Sequence, residues 1–154
     1  LYEDKLCAFL NRSEGIHAFS AKLEYYRRDR KTNELKSLFP GYVFVKTEFD
    51  QLEFNEWLRK QEVKKGFIKQ LQYDHVSALQ KEEIQILTVL LNDNHVLPMS
   101  YGHLENNKIV IDHGTLKGLE SYIVKYDKRN RLASLDLFFL NQRWIAGVSL
   151  ERKE

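Results

Sequence analysis

An α+β fold is predicted from the alternation of two hydrophobic periodicities along a chain of 154 residues. Apolar residues recur at helical spacing in stretches near residues 2–12, 54–61 and 79–91. Short runs rich in valine, isoleucine and aromatic residues lie between and after them, most clearly at 42–49 and 121–126. A composition with 43% hydrophobic and 30% charged residues is typical of a chain that folds and stays soluble.

The first ninety or so residues are predicted to form one domain in the order helix, strand, strand, helix, strand, helix. The first helix has Leu6 and Phe9 on its apolar face, and Gly15 can take the left-handed conformation that ends a helix. Ser77 with Gln80 three residues later fits a capping box before the last helix. This order indicates a split βαβ arrangement, in which helices pack on one face of an antiparallel sheet.

A change of character near residue 92 predicts a second domain. Residues 92–102 contain Asn, Asp, Pro and Gly without periodicity, so we interpret them as a linker between domains at 1–91 and 103–154. The last segment contains short β-prone runs separated by turn residues, which indicates a small barrel. Four such runs are found, at 108–112, 121–126, 134–140 and 144–150.

Composition excludes several classes of function. The single cysteine, Cys7, excludes an internal disulfide and suits a reducing cytoplasm, where we expect a monomer. No apolar run approaches the ~18 residues that a membrane helix needs, so we expect no membrane partner. The five histidines are dispersed without metal-ligand spacing, and neither GxxxxGK[ST] nor GxGxxG occurs. We therefore predict no enzyme activity, no cofactor and no metal.

The segment SLFPGYVFVKTEF at 37–49 combines a Pro-Gly turn with a strand of β-branched and aromatic residues. In a strand, Tyr42 and Phe44 share one face while Val43 and Val45 share the other. If the valines face the helices, the aromatic face is left exposed, and exposed aromatic patches usually mark a partner surface. The alternative interpretation is that these rings belong to the core.

Three features in this order resemble the NusG family of transcription elongation factors: LFPGYVFV after a charged hairpin, GFI at 66–68, and KIVIDHGTLKGLESYIVKYDKRNRLASLDLFFL at 108–140. The last resembles a KOW domain, so the resemblance covers nearly the whole chain. It implies a NusG N-terminal domain followed by a KOW-type β-barrel. Two departures are that no counterpart of the family's first strand precedes Leu1, and that Ser121 stands where the KOW pattern normally has glycine.

The resemblance implies RNA polymerase as the main partner, held at its paired clamp helices. Bridging the clamp would keep it closed and suppress pausing without any bond being made or broken. The polymerase-binding residues implied in this way are Phe39, Pro40, Tyr42, Phe44 and Phe67.

Basic residues predict contact with nucleic acid at two places, although solvated surface charge is the alternative for both. The hairpin loop near residue 29 is expected to contact DNA near the polymerase. The loops of the second domain are expected to contact an RNA hairpin, which is implied by resemblance to LoaP-type antiterminators. The candidates are Arg27, Arg28, Arg30, Lys31, Lys117, Lys125, Lys128, Arg129, Arg131 and Arg143.

A third candidate surface consists of Leu137, Phe138 and Phe139. Because strand side chains alternate between faces, the two adjacent phenylalanines cannot both point inward. By resemblance, this hairpin is where NusG barrels meet Rho or a ribosomal protein.

These expectations favour a specialised NusG-type factor of bacterial transcription antitermination. It would bind polymerase through the first domain and RNA or a regulatory protein through the second. Two alternatives stay open at this point. One is a housekeeping NusG that couples polymerase to Rho or the ribosome, and the other is a stand-alone KOW-type RNA-binding protein.

Overall fold

The computed structural model of the chain describes residues 2–65, 79–139 and 141–151, with side chains except those of residues 2 and 61–65. Helices and mainly antiparallel strands are mixed, which confirms the α+β class. The helices are α1 (Tyr2–Leu10), α2 (Gln51–Lys65) and α3 (Lys81–Leu90). The strands are β1 (Ile16–Phe19), β2 (Lys22–Arg27), β3 (Thr32–Ser37), β4 (Phe44–Thr47), β5 (Val96–Leu97), β6 (Ser100–Glu105), β7 (Lys108–His113), β8 (Ile123–Asp127), β9 (Leu132–Phe139) and β10 (Gln142–Glu151).

These residues fall into two compact units, each assembled from two stretches of chain. Unit 1 comprises residues 1–20 and 41–81, and unit 2 comprises residues 21–40 and 82–154. The aromatic segment at 66–68 and the predicted cap at Ser77 lie outside the described residues. Within the described part of the chain, no helix is both long enough and apolar enough to cross a bilayer.

Unit 1 contains α1, β1, β4 and α2. Strands β1 and β4 pair antiparallel, from Ile16 opposite Thr47 to Phe19 opposite Phe44. Apolar residues spaced four apart on each helix face this ribbon, because such residues lie on one side of a helix. The buried core consists of Leu6, Cys7, Leu10, Ile16, Ala18, Phe54 and Leu58, with Val43 and Val45 packed against it. The condition set for the valines of the segment, that they face the helices, is therefore met.

Two polar side chains define the ends of elements in unit 1. The Asp50 carboxylate accepts a hydrogen bond from the backbone N–H of Glu53 at 2.8 Å, so α2 begins earlier than the sequence pattern indicated. The Asn11 amide donates to the Ala18 carbonyl at 2.9 Å and accepts from the Ala18 N–H at 2.6 Å. Asn11 thus occupies backbone groups at one edge of β1 in the way that a neighbouring strand would.

Unit 2 contains two sheets, with strand orders β3-β2-β5 and β7-β6-β10-β9-β8. In the larger sheet, β10 runs antiparallel to β9 and parallel to β6. Each of the four β-prone runs of the last segment contains a strand, although the run at 121–126 begins with the end of a 3-10 helix (Glu120–Tyr122) and becomes a strand only at Ile123. Closure into a barrel is not found, because β7 and β8 form the two edges of the sheet in the part of the chain that the structure describes.

Residues 92–102, interpreted as a linker, contain β5 and the beginning of β6. Ser100 is fully buried, and the backbone of Gly102 packs against that of Val110 in the neighbouring strand. Because this stretch combines small and polar residues, it has no hydrophobic period that would mark it as a strand. The strand conformation of β6 follows from its pairing with β7 and β10. The proposed domain boundaries stay a prediction.

The hairpin of β2 and β3 packs within unit 2. The backbone N–H of Met99 donates to the Glu24 carboxylate at 2.6 Å, and a side chain at Gly147 would meet the Glu24 carbonyl. The interior also contains Leu23, Leu97, Leu135 and Trp144, all at most 1% exposed. Among the described residues, β1 with β4 and β2 with β3 lie in different sheets, so the single antiparallel sheet expected for the first ninety residues is not found in that part of the chain.

Candidate nucleic-acid interface

Two hairpin loops of unit 2 share length, charge and backbone geometry. The loop at 28–31 (RDRK) joins β2 to β3, and the loop at 128–131 (KRNR) joins β8 to β9. Each contains three cations and ends in a cation, Lys31 or Arg131, with φ of 53° or 54°. Residues other than glycine adopt this left-handed region uncommonly, and it is the conformation that lets a loop of this length close.

Acidic side chains order both loops. The Asp127 carboxylate accepts hydrogen bonds from the Asn130 backbone at 3.1 Å and from the Asn130 amide at 2.8 Å, and these bonds hold the pKa of Asp127 below its usual value. In the other loop, Arg27 donates to Asp29 at 2.9 Å and to Glu34 at 3.3 Å. These two bonds raise the pKa of Arg27, and its charge is partly balanced by the carboxylates.

Both loops border one open cleft of about 1710 Å³ within unit 2, which we call the basic cleft. It exceeds the ~300–1,000 Å³ of ordinary small-molecule sites and suits a segment of a polymer. Two acidic residues, Asp29 and Glu151, also line it. The excess of positive charge favours an anionic ligand. The cations that line the cleft are Arg27, Arg28, Lys31, Lys36, Lys128, Arg129 and Arg131.

Aromatic rings lie among these cations. The Arg131 guanidinium lies 3.8 Å from the centroid of the Tyr26 ring, and the Lys36 ammonium lies 4.5 Å from that of Tyr25. Tyr126 also lines the cleft, and its hydroxyl donates to the Val148 carbonyl at 2.8 Å. Burial raises the pKa of Tyr126, so this ring stays neutral and fixed.

The cleft brings together candidates that the sequence placed at two separate sites: Arg27, Arg28, Lys31, Lys128, Arg129 and Arg131. Lys117, Lys125 and Arg143 do not line it, and neither does Arg30, which lies 4.0 Å from Glu34. Arg143 instead packs over Phe138 at 4.6 Å and donates to the Leu135 carbonyl at 3.1 Å. The nucleic-acid role of all ten residues stays a prediction.

Sequence reasoning missed Lys36, Tyr25 and Tyr26 as residues of this site. The available signal was the hairpin itself, because Tyr25 lies opposite Glu34 and Lys36 lies opposite Leu23 in its register. Side chains of neighbouring strands with the same direction meet on one face, so a hairpin alignment could have grouped Tyr25 with Lys36. It could not have added Tyr26, because adjacent residues of a strand point to opposite faces.

The expectation of an exposed aromatic face on residues 42–44 is wrong for Phe44. Tyr42 is 41% exposed, but Phe44 is 7% exposed and its ring stacks on Phe19 at 5.3 Å. The reason is that β4 begins only at Phe44, directly opposite Phe19, so Tyr42 precedes the strand and does not follow its alternation. The polymerase contact itself stays a prediction.

Phe39 is also buried, with 2% exposure, and is therefore not available at the surface. Its ring centroid lies 5.1 Å from that of Phe139 in unit 2. Pro40 is exposed. The neighbouring Gly41, with φ of 86°, donates its N–H to the Glu3 carboxylate at 3.0 Å. Phe67 lies outside the described residues.

The alternation predicted for the adjacent phenylalanines is confirmed. Phe138 is 57% exposed and Phe139 is 4% exposed, while Leu137 is half-buried. Whether Phe138 meets a protein partner stays a prediction.

The described residues contain no group of three His, Cys, Asp or Glu side chains that could hold a metal ion. His103 contacts two carboxylates instead, with its Nδ1 2.8 Å from Asp112 and its Nε2 3.4 Å from Glu105. An α+β fold with a large open cationic cleft is typical of a binding protein that acts on macromolecules.

Comparison with known families identifies the family to which the chain belongs. A family model described as "Transcription termination factor nusG" matches residues 2–88, which is more than half of the chain. The chain therefore belongs to the NusG family of transcription factors. No curated protein matches the chain.

Proposed function

We propose that this NusG-family protein is a specialised elongation factor that acts in processive antitermination, with RNA polymerase and a nucleic acid as its two ligands. The observation that carries the proposal is the basic cleft, in which seven cations lie within one unit, five of them on loops 28–31 and 128–131 and two on strands β2 and β3. A factor that binds nucleic acid by itself can be recruited by a particular transcript or DNA element. A factor that relies on polymerase alone has no such means of selection.

Polymerase binding is assigned to the surface around Tyr42. Tyr42 and Pro40 are both exposed, and the Glu3 carboxylate holds the intervening Gly41 through its backbone N–H. An exposed ring on a fixed turn is a low-entropy anchor for a groove between helices, such as the polymerase clamp helices. The family membership supports polymerase as the partner.

Strands β7 to β10 are assigned to a KOW-type domain. The assignment is supported by the KOW-like motif at 108–140, which contains β7, β8 and β9, and by β10 directly after it. We retain 1–91, 92–102 and 103–154 as the proposed boundaries of N-terminal domain, linker and KOW domain. Unit 2 extends across them through the β2–β3 hairpin.

A second candidate function is that of a housekeeping NusG, which couples polymerase to Rho or to the ribosome. The exposed Phe138 favours it, because a ring that is 57% exposed beside Arg143 can anchor a protein partner. A stand-alone RNA-binding barrel is disfavoured, since the family match covers the part of the chain that such a protein would lack.

The test is charge reversal in the cleft, with Lys128→Glu, Arg129→Glu and Arg131→Glu combined. The matched control combines Arg12→Glu, Lys60→Glu and Lys108→Glu, three exposed cations that neither line the cleft nor belong to the nucleic-acid candidates. We expect the cleft variant to lose affinity for RNA or DNA and to show a shallower salt dependence, by roughly 0.7 to 0.9 in slope per lost phosphate contact. The control variant should retain both.

Polymerase affinity and readthrough of a terminator are measured on the same two variants with purified bacterial RNA polymerase. The cleft variant should still bind polymerase but should no longer extend transcription past the terminator. An equal loss of nucleic-acid affinity in both variants would show that the charge acts nonspecifically. An equal loss of polymerase binding in the cleft variant would contradict the division of labour.

A further inference from the structure

We propose that the basic cleft binds a single-stranded segment of nucleic acid, with unpaired bases against its tyrosines and leucines and phosphates against its loop cations. The inference rests on the proposed function, because it takes nucleic acid as the ligand of the cleft. It specifies the strandedness of that ligand and names the residues that contact bases.

The first observation is the division between loops and strands. Arg28, Lys31, Lys128 and Arg129 lie at the loop tips and are exposed. The strands carry two further cations, Arg27 and Lys36, and all of the apolar residues of the cleft, which are Tyr25, Tyr26, Tyr126, Leu104, Leu132 and Leu150. The cleft therefore offers one zone of charge alone at the loop tips and a second zone on the strands, where apolar groups lie beside cations.

The second observation is that part of this apolar zone is uncovered. Leu104 is 46% exposed, and the cleft tyrosines are half-buried rather than sealed. A base-paired duplex presents phosphates and sugars to such a cleft and keeps the faces of its bases stacked inside. An unpaired strand presents bases and phosphates together, so only an unpaired strand can use both zones.

The third observation is the stack of Arg131 on Tyr26, with the guanidinium 3.8 Å from the ring centroid. Both a tyrosine ring and a guanidinium plane stack on unpaired bases. The same guanidinium can donate hydrogen bonds to a phosphate. Arg131 is the last residue of the loop at 128–131, has φ of 54° and directly precedes β9. It therefore lies between the loop zone and the strand zone of the cleft.

The test compares three labelled ligands of equal length by fluorescence anisotropy with the full chain. They are a single-stranded oligouridylate, a single-stranded oligothymidylate and a blunt RNA duplex of mixed sequence. We expect a single strand to bind on the order of tenfold more tightly than the duplex at the same salt concentration. The oligouridylate and oligothymidylate arms tell whether RNA or DNA is the better source of that strand.

Three variants locate the base contacts. Tyr26→Leu should weaken single-strand binding on the order of tenfold, whereas Tyr26→Phe, which keeps the ring, should bind as the natural chain does. Phe138→Leu removes an exposed ring outside the cleft and should change nothing. If Tyr26→Leu does not fold, Leu104→Asn at a 46% exposed position supplies the same test and should weaken single-strand binding several-fold.

The outcomes separate this inference from the proposed function. Duplex binding that equals or exceeds single-strand binding, or unchanged single-strand affinity in Tyr26→Leu or its substitute, overturns the inference and leaves the nucleic-acid function standing. Failure of all three ligands to bind overturns both.

Discussion

Phe39 meets Trp144 edge to face, with the two ring centroids 5.0 Å apart. Both residues are nearly fully buried, at 2% and 1% exposure, although they lie in different stretches of the chain. Edge-to-face pairs of this kind contribute about 0.5–1.5 kcal/mol beyond the burial of their area. Phe39, which resemblance assigned to polymerase binding, is thus a core residue of unit 2.

We predict that Phe39→Ala lowers the free energy of unfolding of unit 2 by about 3–5 kcal/mol, because it leaves a cavity beside Phe139 and Trp144. Urea denaturation followed by tryptophan fluorescence measures this loss. Phe138→Ala is the control and should cost less than about 1 kcal/mol, since Phe138 is 57% exposed. Equal losses in the two variants would contradict the assignment of Phe39 to the core.

The second prediction separates Tyr42 from Phe44. Tyr42→Ala should weaken polymerase binding by about tenfold or more and change stability by less than about 1 kcal/mol, because the ring is 41% exposed. Phe44→Ala should instead lower stability by about 3 kcal/mol, since its ring is buried against Phe19. Immobilised polymerase and thermal melts provide the two measurements. Unchanged polymerase affinity in Tyr42→Ala would remove the proposed anchor.

The third prediction concerns Glu120, whose carboxylate accepts the Ile111 backbone N–H at 3.1 Å. This bond is the largest cause that lowers the pKa of Glu120. Because the folded pKa lies below the unfolded value of about 4.3, the stabilisation is present above that pH and is lost as pH falls through the folded pKa.

Glu120→Gln should therefore cost on the order of 1 kcal/mol at neutral pH, and the difference from the natural chain should shrink as the pH falls below about 4. Unfolding free energies measured from neutral to acid pH check this trend. Ser121→Ala, an exposed change in the same unit that removes no ionisable group, is the control, and its effect should not vary with pH. A difference that grows on acidification would reverse the sign and refute the assignment.

The fourth prediction compares two glycines with positive φ, Gly114 at 121° and Gly118 at 83°. A methyl group at Gly114 would overlap the hydroxyl of the fully buried Ser100 and lie 2.8 Å from its Cα, whereas nothing lies within 4 Å of one at Gly118. Gly118→Ala should cost about 1–2 kcal/mol from backbone strain alone. Gly114→Ala should cost about 1–3 kcal/mol more, as judged by chemical denaturation. Equal costs would mean that Ser100 can move aside.

Local patterns predicted the elements that carry their own periodicity. Helices α1 and α3 have apolar residues at helical spacing, and β7 to β10 are short β-prone runs between turns. The opposite exposures of Phe138 and Phe139 follow from strand alternation alone. Each of these features depends on neighbours within a few residues.

Features that depend on distant partners were not predictable in this way. Ser100 and Gly102 form part of β6 because β7 and β10 lie on either side of it, not because their own residues favour a strand. Phe39 has the sequence context of a surface turn, yet its ring is covered by Phe139 and Trp144. A local hydrophobic pattern has no information about such pairings.

The basic cleft shows the same limit. The cations of the two loops were predicted as separate contacts, one for DNA and one for RNA. Packing of the β2–β3 hairpin within unit 2 is what places Arg28 and Arg129 on the same cleft, together with Tyr26. That packing includes the bond from Met99 to Glu24, which joins residues 75 positions apart and has no sequence signature.

Unit 2 is discontinuous, and this affects how the family can recombine. A crossover near residue 81 would pair one parent's residues 21–40 with the other parent's 82–154, and the Glu24–Met99 bond would then join residues from two different parents. Hybrids between relatives should keep their fold only when both stretches come from the same parent. A hybrid that takes only the C-terminal half from one parent would receive an incomplete unit 2 from that parent.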